Sequence, residues 1–118
     1  MEIVPFELAK KLKEKGFDKY CCRAYSEIGC FNDTDTYKYS EEFYCYAPTI
    51  SQVLKWLRDE KKIFVQISLF EYCYDYCILD TTMVYYDNEH KVLHQGPTGY
   101  SYEEAALAGI SWTLDNLI

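Results

Sequence analysis

Hydrophobic and polar positions follow two different periods within residues 47–70. In residues 49–62 the apolar residues are spaced i, i+3, i+4 and i+7, which is one face of an α-helix. They are Ile50, Val53, Leu54 and Leu57. Thr49 and Gln52 form a capping-box pattern at the start of this helix. In residues 63–70 the apolar residues alternate with period two, so the chain is predicted to pass directly from helix to strand.

Two further helices are predicted near the ends of the chain. Residues 6–15 place Leu8 and Leu12 on one face of a short helix. Ser101 and Glu104 form a second capping box. Small residues inside the helix that follows would let it pack closely on a sheet.

Short strands are predicted between the helices from β-branched and aromatic residues at alternate positions. These strands are residues 19–25, 37–39, 42–46, 72–79, 83–86 and 91–94. Residues 26–36 are predicted to be a loop, because they contain Gly29 and a polar run. The order is roughly α-β-β-α-β-β-β-α. We therefore expect a single α+β domain over residues 1–118, with helices packed on one face of a mostly antiparallel sheet.

Charge and hydropathy exclude some classes of function. The formal net charge of the 118 residues is −7, which argues against direct nucleic-acid binding because affinity for phosphate comes mainly from Lys and Arg. No apolar stretch is long enough to span a membrane. The start of the chain lacks the pattern of a signal peptide. We therefore expect a cytoplasmic protein whose six cysteines are free thiols.

Two cysteines and two histidines show the spacing C-x3-C-x12-H-x3-H, which falls within the loose pattern of a zinc finger. They are Cys73, Cys77, His90 and His94. A finger needs large apolar residues where this chain has Thr81 and Asp87, so we assign no metal ligand. The alternative of a small Cys/His metal protein or enzyme that uses residues 73–94 stays open.

Motifs that would identify an enzyme are missing from the sequence. It has no P-loop, no glycine-rich dinucleotide turn and no H-E-x-x-H motif. Its cysteines show no C-x-x-C pair and no protease signature. We assign no catalytic residue and no cofactor, and we favour a role without catalysis.

Tyrosine is the residue type in clearest excess, with 13 copies. Tyr72, Tyr74 and Tyr76 would project from one face of a strand. A sheet face lined with tyrosine is suited to binding a partner protein, and we predict these three residues as partner-binding. The other interpretation is that tyrosine fits a half-exposed sheet or lies beneath a helix, since its β-propensity alone produces this pattern.

Three blocks of the chain resemble small uncharacterised proteins encoded by phages and prophages of gut bacteria. The blocks are A-P-T-I-S-Q-V-L-K-W-L-R-D-E-K at 47–61, F-E-L-A-K-K-L-K-E-K-G-F at 6–17 and Y-E-E-A at 102–105. These motifs are helix caps and amphipathic faces. The resemblance implies a cytoplasmic setting in an infected or lysogenic cell, and it attaches no activity to any residue.

The function predicted from the sequence is that of a small accessory protein that binds another protein of the host or the phage. The acidic charge, the excess of tyrosine and the lack of catalytic motifs lead to this hypothesis. An acidic mimic of nucleic acid is a further alternative. A homodimer through an exposed edge strand or the tyrosine-rich face also stays open.

Overall fold

The structure is a computed structural model, and the part of the chain it describes is residues 2–37, 42–70, 73–80, 91–96 and 101–118. The chain divides into two compact units, Met1–Ile50 and Ser51–Ile118. Within the described residues there are four helices and two antiparallel sheets of three strands each. The predicted α+β class is confirmed, but the strands form two sheets where one was expected.

The first unit contains a sheet in the order β2-β1-β3. Its elements are α1 (Phe6–Glu14), β1 (Arg23–Ser26), β2 (Phe31–Asp33), α2 (Thr34–Tyr37) and β3 (Phe43–Tyr46). The predicted first helix is confirmed, and it buries Leu8, Ala9 and Leu12. α1 packs against β3, which places this helix beside an edge of the sheet.

The prediction of a loop at residues 26–36 is wrong, because this segment contains β2 and most of α2. Its polar residues find partners at the start of β1. The guanidinium of Arg23 lies 2.9 Å from the carboxylate of Asp33, and the Thr34 hydroxyl donates a hydrogen bond to the Cys21 carbonyl. Polar residues that are typical of loops are here held in register by a neighbouring strand.

The strand predicted at residues 37–39 is wrong at Tyr37, the one residue of this range that the structure describes. Tyr37 ends α2 and its hydroxyl donates a hydrogen bond of 2.9 Å to the Cys30 carbonyl. Tyr39 lies outside the described residues. A buried tyrosine with a bonded hydroxyl suits a helix as well as a strand, because burial of the ring rather than backbone preference decides its place.

The second unit contains a sheet in the order β4-β5-β6. The chain from Ile50 onward forms α3 (Ile50–Glu60), β4 (Ile63–Phe70), β5 (Cys73–Asp80), β6 (Lys91–Gln95) and α4 (Tyr102–Asn116). The predicted helix-to-strand passage is confirmed. The strand predicted at residues 83–86 lies outside the described residues.

α4 packs on the sheet of the second unit at close range. A Cβ at Gly109 would lie 2.7 Å from Cγ1 of Val65 and 3.1 Å from Cδ2 of Tyr76, so only glycine allows this approach without a shift. The backbone N–H of Glu104 donates to Oγ of Ser101 at 3.1 Å, which confirms the predicted N-cap. The helix therefore covers the face of β4 and β5 that carries Val65 and Tyr76.

Candidate partner-binding site at the edge of the first sheet

The tyrosines predicted to bind a partner do not share one environment. Tyr76 is 4% exposed, and its ring lies so close to Gly96 that a Cβ there would be 1.8 Å from Cζ. Tyr74 is half-buried, with its ring edge-on to Tyr102 at 6.1 Å. Tyr72 lies outside the described residues. Tyr76 is therefore a core residue, whereas Tyr74 keeps part of its surface exposed.

The Cys/His residues of the zinc-like pattern are not brought together where they are described. Cys73 and Cys77 stand four residues apart on β5, which separates their Cα atoms by about 13 Å. Two sulfurs on one zinc lie within about 4 Å of each other, because each Zn–S bond is about 2.3 Å. The ring of His94 stacks on Trp112 at 3.9 Å, and His90 lies outside the described residues. No group of three or more potential metal ligands converges in the described part of the chain.

Burial makes several thiols poor nucleophiles. It raises the pKa of Cys21 to about 11. It also raises the pKa of Cys45, although the nearby ammonium groups of Lys13 and Lys10 act in the opposite direction. The pKa of Cys77 is raised as well. Since the thiolate is the reactive form, a raised pKa lowers the reactivity of these three cysteines at neutral pH.

Among the strands that the structure describes, β3 lies at an edge of its sheet, with β1 on one side and no strand paired on the other. The Ala47 N–H donates to the Arg23 carbonyl at 2.9 Å, and Ala24 faces Tyr46 in the next pair. Hydrogen-bonded and non-hydrogen-bonded pairs alternate in an antiparallel ladder. The backbone N–H and C=O of Tyr46 therefore point away from β1.

The N-terminal segment already pairs on this outer side, just beyond β3. The Val4 N–H donates to the Pro48 carbonyl at 3.0 Å, and Ile3 forms an isolated antiparallel bridge with Thr49. α1 then begins at Phe6 and packs against β3. The outer side of β3 itself, residues 43–46, faces a pocket.

A β-bulge in β3 determines which side chains face α1. Tyr25 faces Cys45, and the next residue of β1 faces Phe43, which leaves Tyr44 as the extra residue. The Tyr44 ring contacts Phe6 of α1, with 6.3 Å between ring centres. Tyr44 therefore contacts α1, whereas the Tyr46 ring contacts Tyr20 and Phe43.

The Tyr46 ring joins two further aromatic side chains in a group that does not include Tyr44. The Tyr46 ring is edge-on to Tyr20 at 5.8 Å and to Phe43 at 5.2 Å. Tyr20 is 62% exposed and Phe43 is 38% exposed. We call Tyr20, Phe43 and Tyr46 the aromatic cluster. Exposed rings held in place by edge contacts offer contact area at little entropic cost, which is typical of binding surfaces.

A pocket of about 480 Å³ lies between β3 and α1, and we call it the edge pocket. It is lined by Ala9 and Lys13 of α1, by the turn at residues 16–18 and by all of β3. Its volume lies within the range of about 300–1,000 Å³ that is common for ligand sites. The edge pocket and the aromatic cluster share Phe43 and Tyr46, so they form one continuous surface.

Lys13 is the cation of the edge pocket. Its ammonium donates a hydrogen bond of 2.5 Å to the Tyr44 carbonyl and lies 4.0 Å from the centre of the Tyr44 ring. The ammonium groups of Lys13 and Lys10 partly oppose the rise that burial causes in the pKa of Cys45. Asp18, at the turn after α1, supplies a negative charge to the lining.

No protein-family model, curated protein or solved structure matches this chain. In the residues that the structure describes, no helix combines the length and the apolar character needed to cross a membrane.

The sequence predicts Tyr72, Tyr74 and Tyr76 as partner-binding residues and does not bring together the three residues of the aromatic cluster. The aromatic cluster joins Tyr20 to two residues of β3. These residues are far apart in the sequence, so no spacing pattern predicts their contact. Two signals were present in part: the aromatic strand at residues 42–46, and the lysines at positions 10 to 15 in an otherwise acidic chain.

Proposed function

We propose that this protein is a small accessory protein that acts by binding another protein, with the edge pocket and the aromatic cluster as its binding surface. The observation that carries the proposal is the exposed aromatic cluster on a strand whose outer backbone groups face a pocket. Burial of such rings is a main source of affinity in protein interfaces.

The position of β3 supports the same proposal. An uncovered strand edge is an aggregation hazard, and proteins shorten, charge or cover such edges unless they use them for binding. β3 is short and bulged, and Lys13 of α1 covers its Tyr44 carbonyl. It also carries aromatic rings that a purely protected edge does not need. This combination fits an edge kept soluble in the free protein and used by a partner.

The proposal extends to the setting of the protein. On the resemblance to phage and prophage proteins, the partner is a host or phage protein in the cytoplasm of an infected or lysogenic cell. A reducing cytoplasm keeps exposed thiols reduced. Cys22 and Cys30, both exposed, then remain single thiols while the binding surface is in use.

Site-specific photocrosslinking tests the location of the surface. p-Benzoylphenylalanine is placed at Phe43 in one variant and at Tyr102 in a matched control. These side chains have similar exposure, 38% and 42%, but Tyr102 belongs to the second unit. We expect irradiation of expressing cells to link the label at position 43 to one defined protein, and the label at position 102 to give no such product.

A double substitution, Tyr20→Ala with Tyr46→Ala, then tests the aromatic cluster. Loss of two interface aromatics typically weakens binding by about 30-fold or more, so the cross-linked product should nearly disappear while circular dichroism shows an intact fold. Equal cross-linking at positions 43 and 102, no product at position 43, or full cross-linking in the double variant would each contradict the proposal.

A further inference from the structure

We infer that the partner contributes an extended acidic segment, which adds to β3 as a further antiparallel strand and places a carboxylate against Lys13. This inference rests on the proposed function and specifies the mode of binding and the chemistry of the partner.

The backbone of β3 is prepared for strand addition. The N–H and C=O of Tyr46 point to the outer side of the sheet, as derived from the pairing of Ala47 with Arg23. The N-terminal segment uses the same side through the Val4–Pro48 hydrogen bond. A guest segment would continue this line of pairing along residues 43–46, where the outer side faces the edge pocket. Main-chain hydrogen bonds of this kind supply affinity in strand-addition complexes.

Lys13 explains how the edge is protected when the partner is not bound. Its ammonium covers the Tyr44 carbonyl, and a lysine at a strand edge opposes pairing with a neutral strand. A carboxylate on the guest would form a charge-assisted hydrogen bond with this ammonium, which is stronger than the bond to a neutral carbonyl. The Tyr44 carbonyl is then released to accept a backbone N–H from the guest.

Charge complementarity selects an acidic guest. Lys13 lies in the lining of the edge pocket, with its ammonium on the Tyr44 carbonyl of β3. Asp18 lies in the lining at the turn after α1, so the acidic residue of the guest belongs beside Lys13 and away from that turn. A basic side chain at this position of the guest would be repelled by Lys13.

The two sides of β3 also predict the pattern of apolar residues in the guest. Side chains of an added strand alternate between the two faces of the sheet. One set would meet Tyr44 and Cys45 in the edge pocket, and the other set would meet Phe43 and Tyr46 of the aromatic cluster. We therefore expect alternating apolar or aromatic residues around one Asp or Glu, and no proline at the pairing positions.

A peptide selection on the full chain tests this inference. Random dodecapeptides are selected on the immobilised protein, and the enriched peptide is measured by fluorescence anisotropy. We expect an acidic residue within a period-two apolar pattern. Lys13→Met should weaken binding about tenfold, since one charge-assisted hydrogen bond is lost. The matched control Lys55→Met removes an exposed lysine of α3 and should leave affinity unchanged.

N-methylation of alternate peptide nitrogens provides the second arm, because it removes backbone donors and keeps the side chains. We expect a loss of binding of at least tenfold for the methylation register that faces β3. Enriched peptides with helical spacing, tight binding after methylation in both registers, or equal affinity for the Lys13→Met variant would overturn strand addition by an acidic segment. These results would leave the proposed function standing if the cross-link at position 43 persists.

Two other outcomes would also overturn the inference. Failure to enrich any peptide, while the position-43 cross-link to a partner persists, would show that the partner presents a folded surface. Light scattering that shows a dimer, dissociated by Tyr46→Ala, would show that a second copy of this chain occupies the edge. Loss of the cross-link itself would count against the proposed function, so the two failures are distinguishable.

Discussion

Two strands of this protein carry alternating aromatic residues, and the fold uses them in opposite ways. β5 lies in the middle of the described second sheet, with α4 across the face that carries Tyr76. β3 lies at the edge of the first sheet, and its aromatic residues reach the surface around a pocket. Position in the sheet, rather than residue type or spacing, decides which tyrosines form core and which can meet a partner.

Truncation of one tyrosine in each strand tests this comparison most strongly. Tyr76→Ala should lower the free energy of unfolding by about 4 kcal/mol, because a large buried ring is replaced by a cavity. Tyr46→Ala at the half-exposed edge should cost about 1 kcal/mol, the size of lost aromatic pair contacts. Urea denaturation followed by circular dichroism measures both. Equal losses in the free energy of unfolding would contradict the difference in burial between Tyr76 and Tyr46.

The close approach of Gly96 to Tyr76 gives the next largest effect. Gly96→Ala would place a Cβ 1.8 Å from Cζ of Tyr76, so the ring must move, and overpacking of this kind costs about 2–3 kcal/mol. Gly16→Ala is the control. Gly16 has a φ of +95° but nothing within 4 Å of a Cβ, so only backbone strain of about 1 kcal/mol is expected. A cost at Gly96 no greater than at Gly16 would contradict the packing of Tyr76.

The N-cap of α4 stabilises the packing of this helix on β5 by a smaller amount than the contacts of Tyr76 do. Ser101→Ala removes the acceptor for the Glu104 N–H and should destabilise the second unit by about 1 kcal/mol. Ser101→Asp should retain most of the stability, because aspartate also caps a helix start. Thermal unfolding followed at 222 nm compares the variants. An unchanged midpoint in Ser101→Ala would show that the cap contributes nothing to holding α4.

Cys21 provides a pH test of the core in the first unit. Burial raises its pKa from 9.0 to about 11, so the folded state holds the proton more tightly than the unfolded state. The contribution of the protonated Cys21 thiol to the free energy of unfolding is fully present below pH 9. It is lost as the pH rises from about 9 to 11. Cys21→Ala should therefore show a shallower loss of stability over this interval in urea titrations. Parallel pH profiles for the two proteins would contradict burial of the thiol.

The elements that the sequence predicted correctly are those that depend on neighbours along the chain. The helix from Ile50 and the strand from Ile63 follow from periodicity and a cap, which are local properties. β2 and α2 were missed because Asp33 and Thr34 are stabilised by Arg23 and the Cys21 carbonyl, and those contacts depend on strand pairing. The same limit applies to the site, since Tyr20 meets Tyr46 only after the chain folds back.

By itself the sequence determined the α+β class, the start of α4 and the central helix–strand passage, because helix caps and hydrophobic periods act over a few residues. Only the tertiary structure decided that β3 is an edge and that a bulge turns Tyr44 towards α1. It also decided that Tyr76 is enclosed by Gly96 and α4. Sheet order and bulges arise from contacts between distant segments, so they leave no local pattern to read.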